Sequence, residues 1–262
     1  MQNKSKNKPP IFILGCQRSG TSLLRRIIDS HSNIACPPES AFFVQLARVY
    51  EIERARAGLE TMGFTKDDIL EQMRKFTEYF FIEYAKRKGK SRWADKTAPH
   101  INHANTIDKM FKKNVIYIGI VRHGLDVAYS LVHSNLEAHL ANAPEGIDEE
   151  TAAIRFWRDQ NSKLIEFAEN VEDRIHFIKY EDLTTKPEVV LPPLFKFIDE
   201  PWEESVINLY KFEHDPGFDD PKIDLYKKIE TNSGNYKKWP LTLQRHLWQQ
   251  AYAMLKHFDY NL

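Results

Sequence analysis

A short glycine-bounded stretch near the start of the chain, with the sequence GCQRSGTS, combines the residue types that hold an anion. Gly15 and Gly20 bracket four residues, so that backbone N–H groups can curl around a phosphate. Thr21 and Ser22 add hydroxyl groups where the next helix should begin, and the positive end of a helix dipole favours a phosphate there. The pattern therefore predicts a phosphate-binding loop in preference to a plain strand-to-helix turn.

The cation of this loop departs from the nucleotide-binding P-loop pattern. That pattern has a lysine directly after the second glycine, whereas this chain has Thr21 there and carries Arg18 inside the loop. A planar guanidinium can hold two oxygens of one anion at once, which a lysine ammonium does not do. We therefore expect Arg18 to bind the anion directly.

Apolar runs and helical patterns alternate along the chain and predict the elements that position this loop. The run 115–121 is the longest apolar one and is rich in β-branched residues, which is typical of a central strand buried on both faces. Strands are predicted at 11–14, 91–94, 115–121 and 175–178. Helices are predicted from the loop to residues 29–31, over 41–88 with interruptions near Gly58 and Gly63, over 101–111, 125–134 and 148–170, from Pro187, and over 241–257.

This alternation implies an α/β fold, a P-loop-like three-layer arrangement in which helices flank a central parallel sheet. Two connections carry further expectations. Pro37 and Pro38 force an extended connection over 34–40, and Ser40 is expected to cap the next helix. Residues 213–240 hold five prolines and glycines, and we expect them to form a long, functional loop.

Length and composition exclude several classes of protein. The 262 residues suit one domain over 1–262, with residues 1–10 as a flexible polar lead-in and no signal peptide. The 37 basic and 37 acidic residues balance, so nothing indicates a nucleic-acid partner. Cys16 and Cys36 form neither a disulfide framework nor a metal motif, which favours a reduced, cytoplasmic setting. No apolar run approaches the roughly 20 residues that span a bilayer.

Chemistry-bearing side chains follow each predicted strand. Ligands of open α/β sheets bind at the carboxyl ends of the strands. The polar residues at these ends are Arg18, Thr21 and Ser22, then Asp95 and Lys96, then Arg122 with Ser130 two helical turns on, and finally Tyr180. Arg122 could pair with Asp126 instead, and Tyr180 could be a core residue. Three cations and several hydroxyls in one crevice suit a ligand with phosphates at two separate places.

Two of these segments resemble signatures of the sulfotransferases that use 3′-phosphoadenosine-5′-phosphosulfate (PAPS). The GCQRSGTS loop resembles their 5′-phosphosulfate loop. IVRHGLDVAYS (120–130) resembles their 3′-phosphate motif, in which an arginine is followed eight residues later by a serine, as Arg122 is by Ser130. IKYEDL (178–183) is also typical. The resemblance implies transfer of a sulfuryl group from PAPS to an acceptor hydroxyl, on a small molecule or a peptide tyrosine, and it is compatible with a homodimer.

The likeness is greatest to the tyrosylprotein sulfotransferases and their bacterial relatives, and it implies individual roles. Glu39 matches the position of their catalytic base, and Lys96 matches the residue that binds the transferring group, with Arg18 beside it. Donor contacts are implied for Arg18, Ser19, Gly20, Thr21, Ser22, Arg122, Ser130 and Tyr180, and, in a later loop of weaker likeness, for Thr231, Asn232 and Lys238. The segment DKTAP departs from the family pattern at Thr97, and His123 replaces an acid usual after the arginine.

Two other functions remain open from the residues alone. A P-loop small-molecule kinase would need a lysine at position 21 and an acid for magnesium after a buried strand, where this chain has Thr21 and Arg122. A catalytically inactive nucleotide-binding module would not need both Glu39 and Lys96. The sequence therefore favours sulfuryl transfer, with Glu39 as the base for the acceptor hydroxyl.

Overall fold

A computed structural model describes residues 8–134, 136–141, 143–220, 223 and 228–262, so most of the predicted lead-in 1–10 lies outside the described residues. Within these described residues the sheet has five strands: β1 (Ile11–Leu14), β2 (Ile34–Ala35), β3 (Arg92–Lys96), β4 (Ile116–Val121) and β5 (Ile175–Lys179). They lie in the order β2-β3-β1-β4-β5, and every pairing is parallel. The predicted central parallel sheet is confirmed.

The register of the sheet decides which residues meet at its carboxyl edge. Ile13 of β1 lies opposite Lys96 of β3 on one side and opposite Ile118 of β4 on the other. The loop after β1 therefore emerges beside Lys96 and close to Arg122, which directly follows β4. This arrangement brings three predicted site segments to one edge of the sheet.

Helices cover both faces of the sheet and complete three layers. Successive strand residues point to opposite faces, so Phe12 and Leu14 pack in one hydrophobic cluster, and Ile11 and Ile13 pack in the other. The helices are α1 (Thr21–Asp29), α2 (Phe42–Glu51), α3 (Glu53–Thr61), α4 (Lys66–Arg87), α5 (Ala104–Met110), α6 (Gly124–Val132), α7 (Glu149–Val171), α8 (Tyr180–Thr185), α9 (Pro187–Phe197), α10 (Leu241–Gln250) and α11 (Tyr252–His257). Among the described helices, none is long and apolar enough to cross a membrane.

The connection after α1 differs from its prediction in one respect. Its first residues, Ile34–Ala35, pair with β3 as an edge strand. The prediction that Ser40 caps the next helix is wrong, because α2 begins after Ala41, whose φ is 53°. Ser40 Oγ donates instead to Asp95 Oδ2 at 2.8 Å, so a partner on the sheet outcompetes the local capping bond.

Three predicted helices are interrupted. The stretch 41–88 forms three helices with a break at Gly63, as expected, but Gly58 lies inside α3 and the other break falls at Ile52. The stretch 101–111 begins as a 3-10 turn, Ala98–His103, before α5. The last helix breaks at Ala251, whose φ of −129° is not helical, and this divides it into α10 and α11.

Candidate active site

The phosphate loop connects β1 to α1 in a conformation that its glycines permit. A Cβ on Gly15 would lie 2.7 Å from the carbonyl oxygen of Ile120. Gly20 has a φ of +94°, and a Cβ there would lie 2.4 Å from Cδ2 of Tyr180. Arg18 also has a positive φ, 69°, which is uncommon for a residue with a side chain. The loop therefore packs directly against β4 and Tyr180, and its shape depends on both.

The two predicted phosphate sites meet at Arg18. Arg18 Nε donates a hydrogen bond to Ser130 Oγ at 2.9 Å, which joins the loop to helix α6. Arg122 Nη1 donates to the carbonyl oxygen of Arg18 at 2.9 Å. The structure thus brings together two motifs that lie about a hundred residues apart in the chain, and the Arg122 guanidinium contacts the backbone of the loop that carries Arg18.

Arg122 is held at this position by the later loop and by an aromatic ring. Its Cζ lies 4.4 Å from the centre of the Tyr180 ring. Its Nη2 donates to the carbonyl oxygen of Asn232, whose own N–H donates to the Tyr180 hydroxyl at 3.2 Å. Asp126, the other partner considered for Arg122, accepts instead from the N–H of Gly234 at 2.8 Å. Asp126 therefore anchors the late loop, and Arg122 faces the cavity.

Lys96 is the centre of the predicted catalytic group, and its side chain is only 1% exposed. Its Nζ donates to Glu39 Oε1 at 2.8 Å, to Asp219 Oδ1 at 3.2 Å and to Ser22 Oγ at 3.3 Å. An ammonium has three N–H donors, so these acceptors use all of them. The N–H of Glu39 in turn donates to the carbonyl oxygen of Phe218 at 3.0 Å, which fixes the backbone of the predicted base.

Two acidic residues of this site, Asp219 and Asp220, were missed by the sequence analysis. Arg25 Nε donates to Asp219 Oδ2 at 2.9 Å, and Arg18 Nη1 lies 2.8 Å from Asp220 Oδ2. Burial raises the pKa of Asp219, but the charges of Lys96 and Arg25 outweigh it and hold the pKa below its ordinary value. The one available signal was the density of charges in the long loop, which does not say where that loop lies.

A buried polar cluster supports the catalytic group from behind. Asp95, which precedes Lys96, is completely buried and accepts from Ser40, which follows Glu39. His100 Nε2 lies 3.3 Å from Asp95 Oδ2. Burial raises the pKa of Asp95 to about 7 and lowers the pKa of His100 to about 3. Both side chains are therefore largely uncharged at slightly acidic pH.

A cavity of about 530 Å³ opens beside these groups. The predicted site residues among those that line it are Arg18, Gly20, Thr21, Ser22, Glu39, Arg122, Tyr180 and Asn232. Ser19 and Lys96 are buried next to it. Thr231 and Lys238 are exposed and are not among the described lining residues. Lys238 Nζ donates instead to Asn235 Oδ1 at 2.9 Å.

Comparison with known proteins identifies the family of the chain. The sulfotransferase family model matches residues 9–204, which is more than half of the chain. The chain belongs to the sulfotransferase family. The protein-tyrosine sulfotransferase of Drosophila melanogaster is 24% identical to it over 219 residues, which are 81% of this chain and 42% of the fly protein. The chain thus spans less than half the length of that relative, and the family resemblance predicted from its motifs is confirmed.

Solved sulfotransferase structures share the fold of this family member. The sulfotransferase domain from the curacin biosynthetic pathway superposes with a TM-score of 0.70 at 21% identity, over 97% of this chain and 99% of that one. Mouse sulfotransferase SULT7A1, complexed with PAP, superposes with a TM-score of 0.57 at 15% identity, over 95% of this chain and 85% of that one. The predicted P-loop-like three-layer fold is confirmed.

Proposed function

We propose that this protein is a sulfotransferase that moves the sulfuryl group of PAPS to a hydroxyl group of an acceptor. The observation that carries the proposal is the position of Arg18, which donates to Ser130 and accepts from Arg122. The two proposed anion sites would therefore both include contacts of Arg18. PAPS has anionic groups at its 5′ and 3′ positions, whereas ATP carries its phosphates in a single 5′ chain, so the arrangement suits PAPS better.

Polar atoms around the loop support this choice of donor. Ser19 Oγ and Arg122 Nε are buried and have no hydrogen-bond partner among the described residues. A buried polar atom left without a partner costs about 1–3 kcal/mol, so such atoms usually belong to a ligand or water site. One of these atoms belongs to the 5′ loop and the other to the 3′ motif. The residues present therefore fit a ligand with anionic groups at both places.

We assign the donor contacts accordingly. The loop residues Ser19, Gly20, Thr21 and Ser22 would hold the 5′-phosphosulfate with Arg18, through N–H groups and hydroxyls at the start of α1. Arg122 and Ser130 would hold the 3′-phosphate. Tyr180 would support both sites, because its ring lies against Gly20 and beneath the Arg122 guanidinium. In the late loop, Asn232 is the best supported of the three predicted contacts, since Thr231 and Lys238 lie outside the described cavity lining.

The catalytic roles follow from the contacts of Lys96. When bound, PAPS supplies an electrophilic sulfuryl group with a phosphate as its leaving group. Glu39, whose side chain is 25% exposed, would take the proton of the acceptor hydroxyl. Lys96 and Arg18 would offset the negative charge on the transferring group and the leaving phosphate. Positioning and charge stabilisation of this kind provide most of the catalysis in the related transfer of phosphoryl groups.

The acceptor would enter beside Glu39. Apolar side chains share the cavity lining with the charged groups, namely Leu23, Ala98, Leu209, Phe218 and Ile223. An acceptor with an apolar body and one hydroxyl suits such a lining. A small alcohol or phenol and a tyrosine side chain of a peptide both meet this description.

We treat residues 1–262 as one sulfotransferase domain. Support comes from the single sheet, whose two faces each carry one hydrophobic cluster. Limited proteolysis should then yield one resistant core.

Ligand-dependent thermal unfolding tests the proposed donor. A ligand present at 100 times its dissociation constant stabilises the folded state by about 2.7 kcal/mol. Adenosine 3′,5′-bisphosphate (PAP) should raise the melting temperature without added metal, and more than ADP or ATP with magnesium. A larger shift with ATP and magnesium would favour a kinase. Binding of PAP without any sulfuryl transfer from PAPS would indicate an inactive nucleotide-binding module.

A further inference from the structure

The segment 214–220 of the long loop lies against the predicted catalytic base. A Cβ on Gly217 would lie 2.6 Å from Cβ of Pro38, so the backbone of Gly217 packs directly against the proline ring. The carbonyl oxygen of Phe218 accepts from the N–H of Glu39. The segment therefore runs alongside Pro38 and Glu39. The residue after Phe218, Asp219, lies next to the buried ammonium of Lys96.

That next residue, Asp219, bridges two buried cations. Its Oδ1 accepts from Lys96 Nζ at 3.2 Å and its Oδ2 accepts from Arg25 Nε at 2.9 Å. The Asp219 side chain is 8% exposed, which shields both ion pairs from water. Since the two cations hold its pKa below the ordinary value, the carboxylate is ionised at neutral pH. Asp219 thus provides a constant negative charge beside Lys96.

We propose that Asp219 is a positioning residue that holds Lys96 in place while Glu39 takes the proton of the acceptor, an inference that rests on the proposed function. When the hydroxyl O–H bond breaks and its proton passes to Glu39, that carboxylate becomes neutral and its attraction for the ammonium falls. Asp219 remains ionised and keeps Lys96 where it is. The N–H that pointed to Glu39 can then turn to the transferring group, and the ammonium keeps all its protons.

The same segment offers a matched control. Asp215 Oδ2 accepts from the Tyr84 hydroxyl at 2.9 Å, and its other oxygen accepts from Lys88. These contacts anchor the segment to helix α4 and lie away from the catalytic group. Asp215→Asn therefore loosens the segment without altering the charge beside Lys96.

The experiment compares wild type, Asp219→Asn, Asp219→Glu and Asp215→Asn. Sulfuryl transfer from ³⁵S-labelled PAPS is followed as a function of pH with 4-nitrophenol, a tyrosine peptide and a primary alcohol as acceptors, and PAP binding is measured by calorimetry. Asp219→Asn should lower kcat about tenfold, as expected when the charge-assisted contact with Lys96 is lost. It should leave PAP affinity unchanged or raise it, because a negative charge has left an anion site.

The pH profile separates positioning from simple structural support. In Asp219→Asn one negative charge beside Lys96 and Glu39 is gone. The acid limb of the plot of kcat against pH should therefore move to lower pH. Asp219→Glu restores the charge, and the limb should return to the wild-type position, although kcat stays reduced. Asp215→Asn should move neither the limb nor PAP affinity.

Either of two results for Asp219→Asn would overturn the inference. One is an unchanged kcat, and the other is a loss of both kcat and PAP affinity with no shift of the acid limb of the pH profile. If Asp219→Asn does not fold, Asp219→Glu decides: reduced kcat with normal PAP affinity supports positioning, and unchanged kcat refutes it. Wild-type protein that transfers no sulfuryl group from PAPS to any of the three acceptors would contradict the proposed function itself. An active wild type together with an Asp219→Asn variant of unchanged kcat would refute only the role of Asp219.

Discussion

Lys96 Nζ and Glu39 Oε1 lie 2.8 Å apart, so the proposed base and the proposed sulfuryl-binding cation form an ion pair. The pair is held from two sides, since the backbone of Glu39 bonds to Phe218 and the ammonium bonds to Asp219. A change of charge on either partner alters the attraction felt by the other. In the proposed mechanism, proton transfer to Glu39 and the release of a Lys96 donor would therefore be coupled by this geometry.

Removal of the Arg122 guanidinium should weaken the proposed 3′-phosphate site and leave the 5′-phosphate site intact. Arg122→Ala should weaken PAP binding about 10- to 100-fold, because a hydrogen bond to a charged group contributes about 1.5–3 kcal/mol. Affinity for adenosine 5′-phosphate, which has no 3′-phosphate, should change little. Calorimetry with both ligands measures the difference, with Arg158→Ala on the surface of α7 as a control. Equal losses for the two ligands would contradict the assignment of the 3′-phosphate to Arg122.

The phosphate loop should not tolerate a side chain at Gly20. Gly20→Ala adds a Cβ at a φ of +94° and 2.4 Å from the Tyr180 ring, so the ring or the loop must move. We expect PAP binding to be lost and the melting temperature to fall. Gly58→Ala is the matched control, since a Cβ there meets no atom within 4 Å and α3 should gain about 0.5–1 kcal/mol. A Gly20→Ala protein with normal PAP affinity would show that the loop is not packed as described.

Asp220 should compete with the proposed anionic ligand for Arg18. Its carboxylate lies 2.8 Å from Arg18 Nη1, and the two side chains are 28% and 12% exposed. Asp220→Asn should therefore tighten PAP binding a few-fold, the size expected of a partly exposed ion pair worth up to about 1 kcal/mol. PAP calorimetry at low and high salt checks this, with Asp159→Asn on α7 as the control. Weaker PAP binding in the variant would show that Asp220 helps to hold the ligand.

The buried pair Asp95 and His100 should leave the free energy of unfolding independent of pH over a window of mildly acidic pH. Between pH 4 and 6.5 the folded protein carries one proton of the pair on Asp95, with a pKa of about 7, and His100 is neutral. The unfolded chain carries one proton on His100 instead. Because the proton counts are equal, the pair should add no pH slope to the free energy of unfolding in this window.

Substitution of either residue should reveal the pH dependence of stability that the other one causes. With Asp95→Asn, His100 binds its proton only in the unfolded chain, so stability should rise by about 1.4 kcal/mol per pH unit from pH 3 towards 6.5, relative to wild type. With His100→Gln, Asp95 binds its proton only in the folded protein, so stability should fall at the same rate from pH 4 towards 7. Urea unfolding at pH 4.5, 5.5 and 6.5 measures both slopes. Parallel pH curves for the three proteins would show that the two groups do not exchange a proton on folding.

The sequence predicted the part of the site that strands carry. Arg18 and Arg122 follow apolar strands and Lys96 is the last residue of a third strand. Parallel strands bring their carboxyl ends to one edge of the sheet whatever the details of packing. The position of Ser40 was predicted wrongly. Its local sequence favours a cap at the start of a helix, but its hydroxyl donates to Asp95 on the sheet. A capping preference of about 1 kcal/mol is easily overridden by such a contact.

Residues of the long loop could not be placed in advance. Asp219 reaches Lys96 from 123 positions further along the chain, and the loop that carries it has no periodic pattern. Tertiary contacts determine where Asp219 lies, among them the packing of Gly217 on Pro38 and the bond of Asp219 to Arg25. For the same reason the sequence did not distinguish Asn232 from Lys238 as a donor contact. In the structure Asn232 lines the cavity and Lys238 does not.

The most direct test of the account is sulfuryl transfer by wild type and by Glu39→Gln, measured with ³⁵S-labelled PAPS and an acceptor that wild type modifies. Glutamine keeps the size of the side chain and removes its basicity, so kcat should fall about 10²-fold or more. Calorimetry on the same preparations should show PAP affinity unchanged or slightly higher, and Glu166→Gln on the surface of α7 should behave as wild type. A Glu39→Gln enzyme with near-normal kcat would mean that another group takes the proton and would contradict the account.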